Sequence, residues 1–155
     1  MGEKSAKKVR GHADLEPGET VVDACYGLGK GVLSFTDRLD PQRAHHYSNE
    51  ASAATHDPAG SAAAAIDRTG IICVTDRRVL FLPVKTAITK PKAVAAAWPL
   101  AAVVESGYDS PMLTVTFADG STGGLHVPRP EKPNDFVAHV NRLAATHPGP
   151  GADQT

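Results

Sequence analysis

Two cysteines, one tryptophan and 5% aromatic residues in 155 are scarcities that each remove a class of protein. Cys25 and Cys73 stand far apart and outside any CxxC spacing, so neither a disulfide-stapled secreted fold nor a thiolate zinc site is expected. Aromatic residues this sparse, and not interleaved with Lys or Arg, leave no base-stacking surface for nucleic acid. No apolar run approaches the roughly 18 residues of a membrane-spanning helix, and the opening MGEKSAKKVRGHADLEPGE lacks the apolar core of a secretory leader. Gly2 satisfies the first demand of N-myristoylation, but Ala6 stands where Ser or Thr is needed. An excess of one charge is missing too: 16 Lys plus Arg against 17 Asp plus Glu give a formal charge of -1, so electrostatic recognition must be local. The expected compartment is the cytoplasm, with the inner membrane surface as its alternative.

Catalytic patterns are also wanting. Ser34, Ser48 and Ser106 have no GxSxG elbow, and no enzyme is expected. GLGKG (27–31) has the look of a phosphate-cradling loop, but Ala24 stands where the signature needs glycine and Gly31 where it needs Ser or Thr. His45, His46 and His56 with Asp57 form a loose cluster without ligand spacing, so no metal or other cofactor is expected.

What is present fits one domain, since 41% apolar residues in a chain this long can bury one core. Residues 1–13 are polar and basic (Lys4, Lys7, Lys8, Arg10) and are expected to be a disordered arm, with the domain spanning 14–147 and a disordered tail over 148–155. The turn Glu16-Pro17-Gly18-Glu19 precedes a first strand over 20–25. A Gly, Ala, Ser and His-rich stretch follows to about residue 69, read as an insertion from about 27, with one helical candidate in the alanine run 62–65. GVLSFTDR (31–38) echoes GIICVTDR (70–77), a weak hint of a second hairpin copy.

From Gly70 the pattern sharpens. ICVTDRRVLF (72–81) reads as a hairpin turning at Thr75-Asp76-Arg77-Arg78, with Pro83 ending the ladder or marking an edge. Residues 94–104 read as two short strands bent at Pro99. Leu113, Val115 and Phe117 alternate with Thr114 and Thr116 as a half-buried strand, and Asp119-Gly120 turns it into a return over 122–127. Asn134 or Asp135 is the expected cap of a last helix, whose apolar side is Phe136, Val140, Leu143 and His147. Six or seven short hairpin-connected strands and one closing helix make a mainly β barrel or sandwich.

The elements LEPGE (15–19), GIICVTDRRVLF (70–81), WPLAAVVE (98–105), LTVTFADG (113–120) and the helix over 135–146 resemble the bacterial pleckstrin-homology-like (PH-like) domains, the superfamily that includes the GRAM domains. The resemblance covers residues 15–26 and 70–146, and departs from the compact family pattern at the long insertion between strand one and the TDRR hairpin. It implies a PH-like barrel of two near-orthogonal antiparallel sheets capped by a C-terminal helix, serving as a binding or assembly module. The family's basic headgroup grip at strand two is missing, because Gly70 to Val74 includes no Lys or Arg.

Candidate contact residues are then few. Arg77 and Arg78 are chiefly expected to register the hairpin and form an internal ion pair, and otherwise to clamp a partner carboxylate. Lys85, Lys90 and Lys92 make a basic loop, with Lys30 and Arg68 in the insertion as possible companions; Arg38 and Arg43 lie there too. The leading functional expectation is a non-catalytic adaptor that binds another protein, or itself, through a sheet edge or the face beside the closing helix. The alternative is peripheral attachment to anionic lipid through the basic loop and arm. A carrier holding a small molecule in the barrel mouth is a third class.

Overall fold

The computed structural model describes residues 2–10, 12, 14–29, 59–66, 69–85, 90–91, 93–109, 111–127 and 132–147. The apolar runs on either side of the TDRR turn form its central hairpin. Strand β2 (Gly70–Thr75) pairs with β3 (Arg78–Lys85) from Val74 opposite Val79 to Gly70 opposite Pro83. Strand β1 (Val21–Gly27) lies on the other side of β2, with a bulge between Val21 and Asp23. The far side of β3 carries the two-residue β4 (Lys90–Pro91) opposite Val84 and Lys85, and β5 (Ala96–Pro99) opposite residues 78–81.

Pro83 does not end the ladder. Val84 N donates to Thr69 O at 3.2 Å, which makes Gly70 and Pro83 a pair whose own amide positions point away from each other. On its other side Pro83 falls in the gap between the β4 and β5 pairings, so its missing N–H costs no bond.

Pro99 bends the chain as expected, through a 3₁₀ turn (Leu100–Ala102), into the second sheet: β6 (Val103–Asp109), β7 (Met112–Phe117) and β8 (Thr122–His126) in that spatial order. Gly120 supplies the positive φ of the β7–β8 turn, +86°. Leu113, Val115 and Phe117 face inward to meet Cys25, Ile72, Val74, Val79, Phe81 and Trp98 of the first sheet. Trp98 and Phe117 pack with ring centroids 4.8 Å apart. The last helix, α2 (Pro133–Thr146), adds Phe136, Val140 and Ala144 to this core.

The helix start and stripe differ from expectation. Lys132 is the capping position and makes no side-chain bond, while Pro133 opens the first turn with its φ already set. Ala144 takes the buried place expected of His147, which ends the helix in solvent.

Backbone bonds join the sheets where Leu28, just after β1, and His126 of β8 exchange contacts of 2.8 and 2.9 Å. Thus two antiparallel sheets and a closing helix are present, but among the described residues no continuous ladder closes them into a barrel. No helix among the described residues is long and apolar enough to cross a membrane.

A second core lies on the opposite face of the first sheet, where Ala24, Ile71, Cys73, Leu80, Leu82 and Val84 are buried. Strand β2 is therefore covered on both sides, as its unbroken IICV run requires. Residues 2–9 of the expected disordered arm supply part of that cover. Helix α1 (Gly2–Val9) inserts Ala6 and Val9, 1% and 0% exposed, into this layer. Composition alone misjudged the segment, because an apolar sheet face rewards even a small apolar pair one helical turn apart.

The alanine run forms a 3₁₀ turn (Ala62–Ala65) rather than an α-helix, and Ser61 gives it no side-chain cap. Its donors are met from the β7–β8 turn: Ala62 N donates to Asp119 Oδ2 at 2.8 Å and Ala63 N to Ser121 Oγ at 3.0 Å. The rest of the expected insertion from residue 30 to 58, with GVLSFTDR, and the tail over 148–155 lie outside the described residues.

Candidate functional site

The LEPGE turn and the TDRR turn, 56 residues and more apart in sequence, are bonded into one unit. Pro17 and Gly18 (φ +78°) make the tight turn that lets Glu19 N donate to Glu16 O at 3.0 Å. Glu19 then points into the protein with its side chain 0% exposed. Arg78 meets it with both arms of its fork, Nε to Oε2 at 2.8 Å and a terminal nitrogen to Oε1 at 2.9 Å. Thr75 Oγ1 donates to Glu19 Oε2 at 2.7 Å and accepts from the backbone N–H groups of Arg77 and Arg78, both at 3.1 Å. Asp76 Oδ1 accepts from Thr20 N at 3.0 Å, and Asp76 N donates to Thr20 O at 3.0 Å.

These bonds fix the electrostatics. The Arg78 hydrogen bond holds the Glu19 carboxyl at about 2, against the upward push of burial. The same contact raises Arg78 further above its ordinary range. Arg77 pairs with Glu16 at 3.1 Å from a more open position. The hairpin cations are thus engaged inside the chain. Their acidic partners were in plain view in LEPGE, and the opposite charge of the two motifs was the signal that would have paired them.

The basic loop is only partly described. Backbone register sets Lys85 directly opposite Lys90 at the end of the β3–β4 ladder, and α1 packs beside β4. Lys92, Lys30 and Arg68 lie outside the described residues, as do Arg38, Arg43, His45, His46, His56 and Asp57. The structure therefore brings two of the five candidate lysines and arginines of the loop and insertion to one place.

Sequence reasoning missed the junction of β6 and α2. A bulge between Val103 and Glu105 leaves Val104 58% exposed, the one large apolar side chain so exposed among the described residues. Two residues on, Ser106 is paired as if by another strand. Its N–H donates to Asn141 Oδ1 at 2.7 Å, and its carbonyl accepts from Asn141 Nδ2 at 3.0 Å. Helix α2 thereby covers the edge of β6 with a side-chain amide. The Ser106 hydroxyl is also engaged, donating to Thr114 O at 2.8 Å. Nothing in the local sequence announces a bulge at Val104, and Asn141 reads as one more polar residue of a helix.

Two further groups face each other nearby. His139 Nε2 of α2 stands 3.9 Å from Asp23 Oδ2 of β1, whose other oxygen accepts from Ala24 N at 2.8 Å. Cys25 and Cys73 are both buried and face opposite sides of the first sheet, Cys25 toward the inter-sheet core and Cys73 toward α1. Burial pushes the Cys73 thiol up to about 12. The apolar seam between Ile72, Leu113 and Leu125 is plugged by Ile66 and has no room for a small ligand.

In comparison with known proteins, no family model and no curated protein matches the chain.

Proposed function

We propose that this chain is a non-catalytic binding module that engages another protein, or a second copy of itself, through the surface where β6 meets α2. The observation that carries the reading is Val104. A bulged edge strand turns a branched apolar side chain 58% into solvent, next to exposed Glu105, an apolar point that a partner would bury. Two antiparallel sheets with a closing helix, and a LEPGE turn clamped to a TDRR hairpin, support a PH-like reading of the module, and two buried cysteines without a disulfide support a cytoplasmic site of action. The test is a photo-cross-linking residue at position 104, compared with the same residue at exposed Thr146. A discrete adduct at 104 that Glu105→Lys weakens is expected; equal labelling from both positions removes the reading.

A second reading is favoured by one observation of its own. Lys85 opposite Lys90, with α1 beside β4, concentrates like charge that an anionic surface would offset. Under this reading the chain attaches peripherally to anionic lipid. Sedimentation with phosphatidylserine vesicles decides it: pelleting that salt reverses, and that Lys85→Glu with Lys90→Glu abolishes, supports attachment, while no pelleting at low salt ends it.

A further inference from the structure

Arg142 and His139 stand one turn apart on α2, and the contact between them fixes where the imidazole keeps its proton. A terminal nitrogen of Arg142 lies 3.2 Å from His139 Nδ1. A guanidinium has donors only, so Arg142 donates and Nδ1 accepts with its lone pair. The neutral ring therefore carries its proton on Nε2, the nitrogen that stands 3.9 Å from Asp23 Oδ2 of β1. That distance is too long for a hydrogen bond.

Protonation reverses the arrangement. An imidazolium carries N–H on both nitrogens and accepts on neither, so Nδ1 meets Arg142 donor against donor and cation against cation. Nε2–H now brings a full charge toward Asp23. The carboxylate is placed to receive it: its side chain is 11% exposed, and its Oδ1 is held by Ala24 N at 2.8 Å. Other ionisable groups stand on the elements packed against α2 or on α2 itself. Asp135 lies one turn before His139, α1 carries Lys7 and Lys8, β1 carries Tyr26, and β6 carries Glu105, Tyr108 and Asp109. Among the described residues, only Arg142 and Asp23 bond or pair with the ring.

We infer that His139 is a proton-operated switch in the seat of the closing helix. Neutral His139 holds Arg142 along α2; protonated His139 gives Arg142 up, pairs with Asp23 and fastens α2 to β1. The exchange falls between about pH 8 and pH 5, where imidazole side chains change charge. Its output is twofold. The helix that supplies Phe136, Val140 and Ala144 to the inter-sheet core, and Asn141 to Ser106, is held harder in acid. At the same time a guanidinium is released on the exposed side of that helix. Because the Asp23 pair exists only in the folded protein, the stability it contributes is present at the acid end of this range and is lost as pH rises. The switch needs no partner at the β6–α2 junction and stands apart from that reading.

Ring-nitrogen NMR and urea denaturation test it. In the unaltered protein at pH 8, His139 Nδ1 should be bare and Nε2 protonated, and Arg142→Ala should let the two tautomers mix. The stability gap between the unaltered protein and Asp23→Asn should widen from pH 8 to pH 5 by about threefold in the folding equilibrium constant, and in a His139→Gln background it should not move. A further readout needs no variant: at pH 5 the His139 Nε2 proton should exchange with water about tenfold more slowly than that of exposed His147. A proton on Nδ1 at pH 8, a gap that stays constant or narrows, a widening that survives His139→Gln, or equal exchange at the two rings overturns the inference.

Discussion

Arg78 and Glu19, 59 residues apart, share two near-parallel hydrogen bonds of 2.8 and 2.9 Å, and the Glu19 side chain has no exposure to solvent. The pair joins the turn before β1 to the turn between β2 and β3. It therefore sets where the chain enters the first sheet, and its removal should be felt well beyond the turn.

Replacing Arg78 with Met should destabilise the protein by about 3 kcal/mol or more, because it strands a buried carboxylate. Arg77→Ala should cost under about 1 kcal/mol, since its pair with Glu16 is half exposed. Urea denaturation of both variants checks the order. Equal losses would mean that Arg78 is not the anchor.

The same pair predicts an acid dependence. Glu19 titrates near 2 in the folded protein and near 4.5 when free, so the unfolded chain binds its proton first as pH falls. The stability it contributes, on the order of 3 kcal/mol, is complete above the unfolded value and declines until pH passes below the folded one. Denaturation of the unaltered protein and of Glu19→Gln should give a stability gap that narrows steadily from about pH 5 to about pH 2. A constant gap would contradict the assignment.

Ser121 is 2% exposed and its hydroxyl accepts from Ala63 N at 3.0 Å. Ser121→Ala leaves that donor without its partner and should cost about 1–3 kcal/mol. Asp119, which accepts from Ala62 N in the same turn and has its carboxyl lowered by that bond, should hold the 3₁₀ turn less well as acid protonates it. Faster amide exchange at Ala62 and Ala63 in the serine variant is the local readout, and no change there would sink this account of the cap.

Gly70 and Gly123 should differ although both are buried. A Cβ on Gly70 would stand 2.6 Å from the Leu82 carbonyl oxygen and 2.8 Å from the Phe81 ring, whereas one on Gly123 would stand 2.8 Å from the terminal methyl of Ile66, a side-chain end rather than backbone. Gly70→Ala should therefore cost at least about 2 kcal/mol and Gly123→Ala clearly less. Thermal unfolding of the two variants gives the comparison.

Much of this architecture is legible in the chain. The IICV and VLFL runs about a charged turn, the Leu113-Val115-Phe117 alternation and the Asp119-Gly120 turn each prescribe local structure that the fold retains. What escaped depends on partners far away in sequence. Helix α1 lies chiefly against β1, but the apolar layer it helps cover is mostly Ile71, Cys73, Leu80 and Leu82, built 60 and more residues later. The start of the Ala62–Ala65 turn is capped by Asp119 and Ser121 rather than by its own neighbour Ser61. The candidate site followed the same rule. Arg77 and Arg78 were visible and their internal use was foreseen, but the bulge that exposes Val104 and the reach of Asn141 to Ser106 belong to tertiary packing.

Because Cys25 and Cys73 stand on neighbouring strands yet face opposite ways, the molecule contains its own pair of reporters. A thiol reagent that gains Cys73 times the lifting of α1, and one that gains Cys25 times the parting of the two sheets. Each clock runs without disturbing the other.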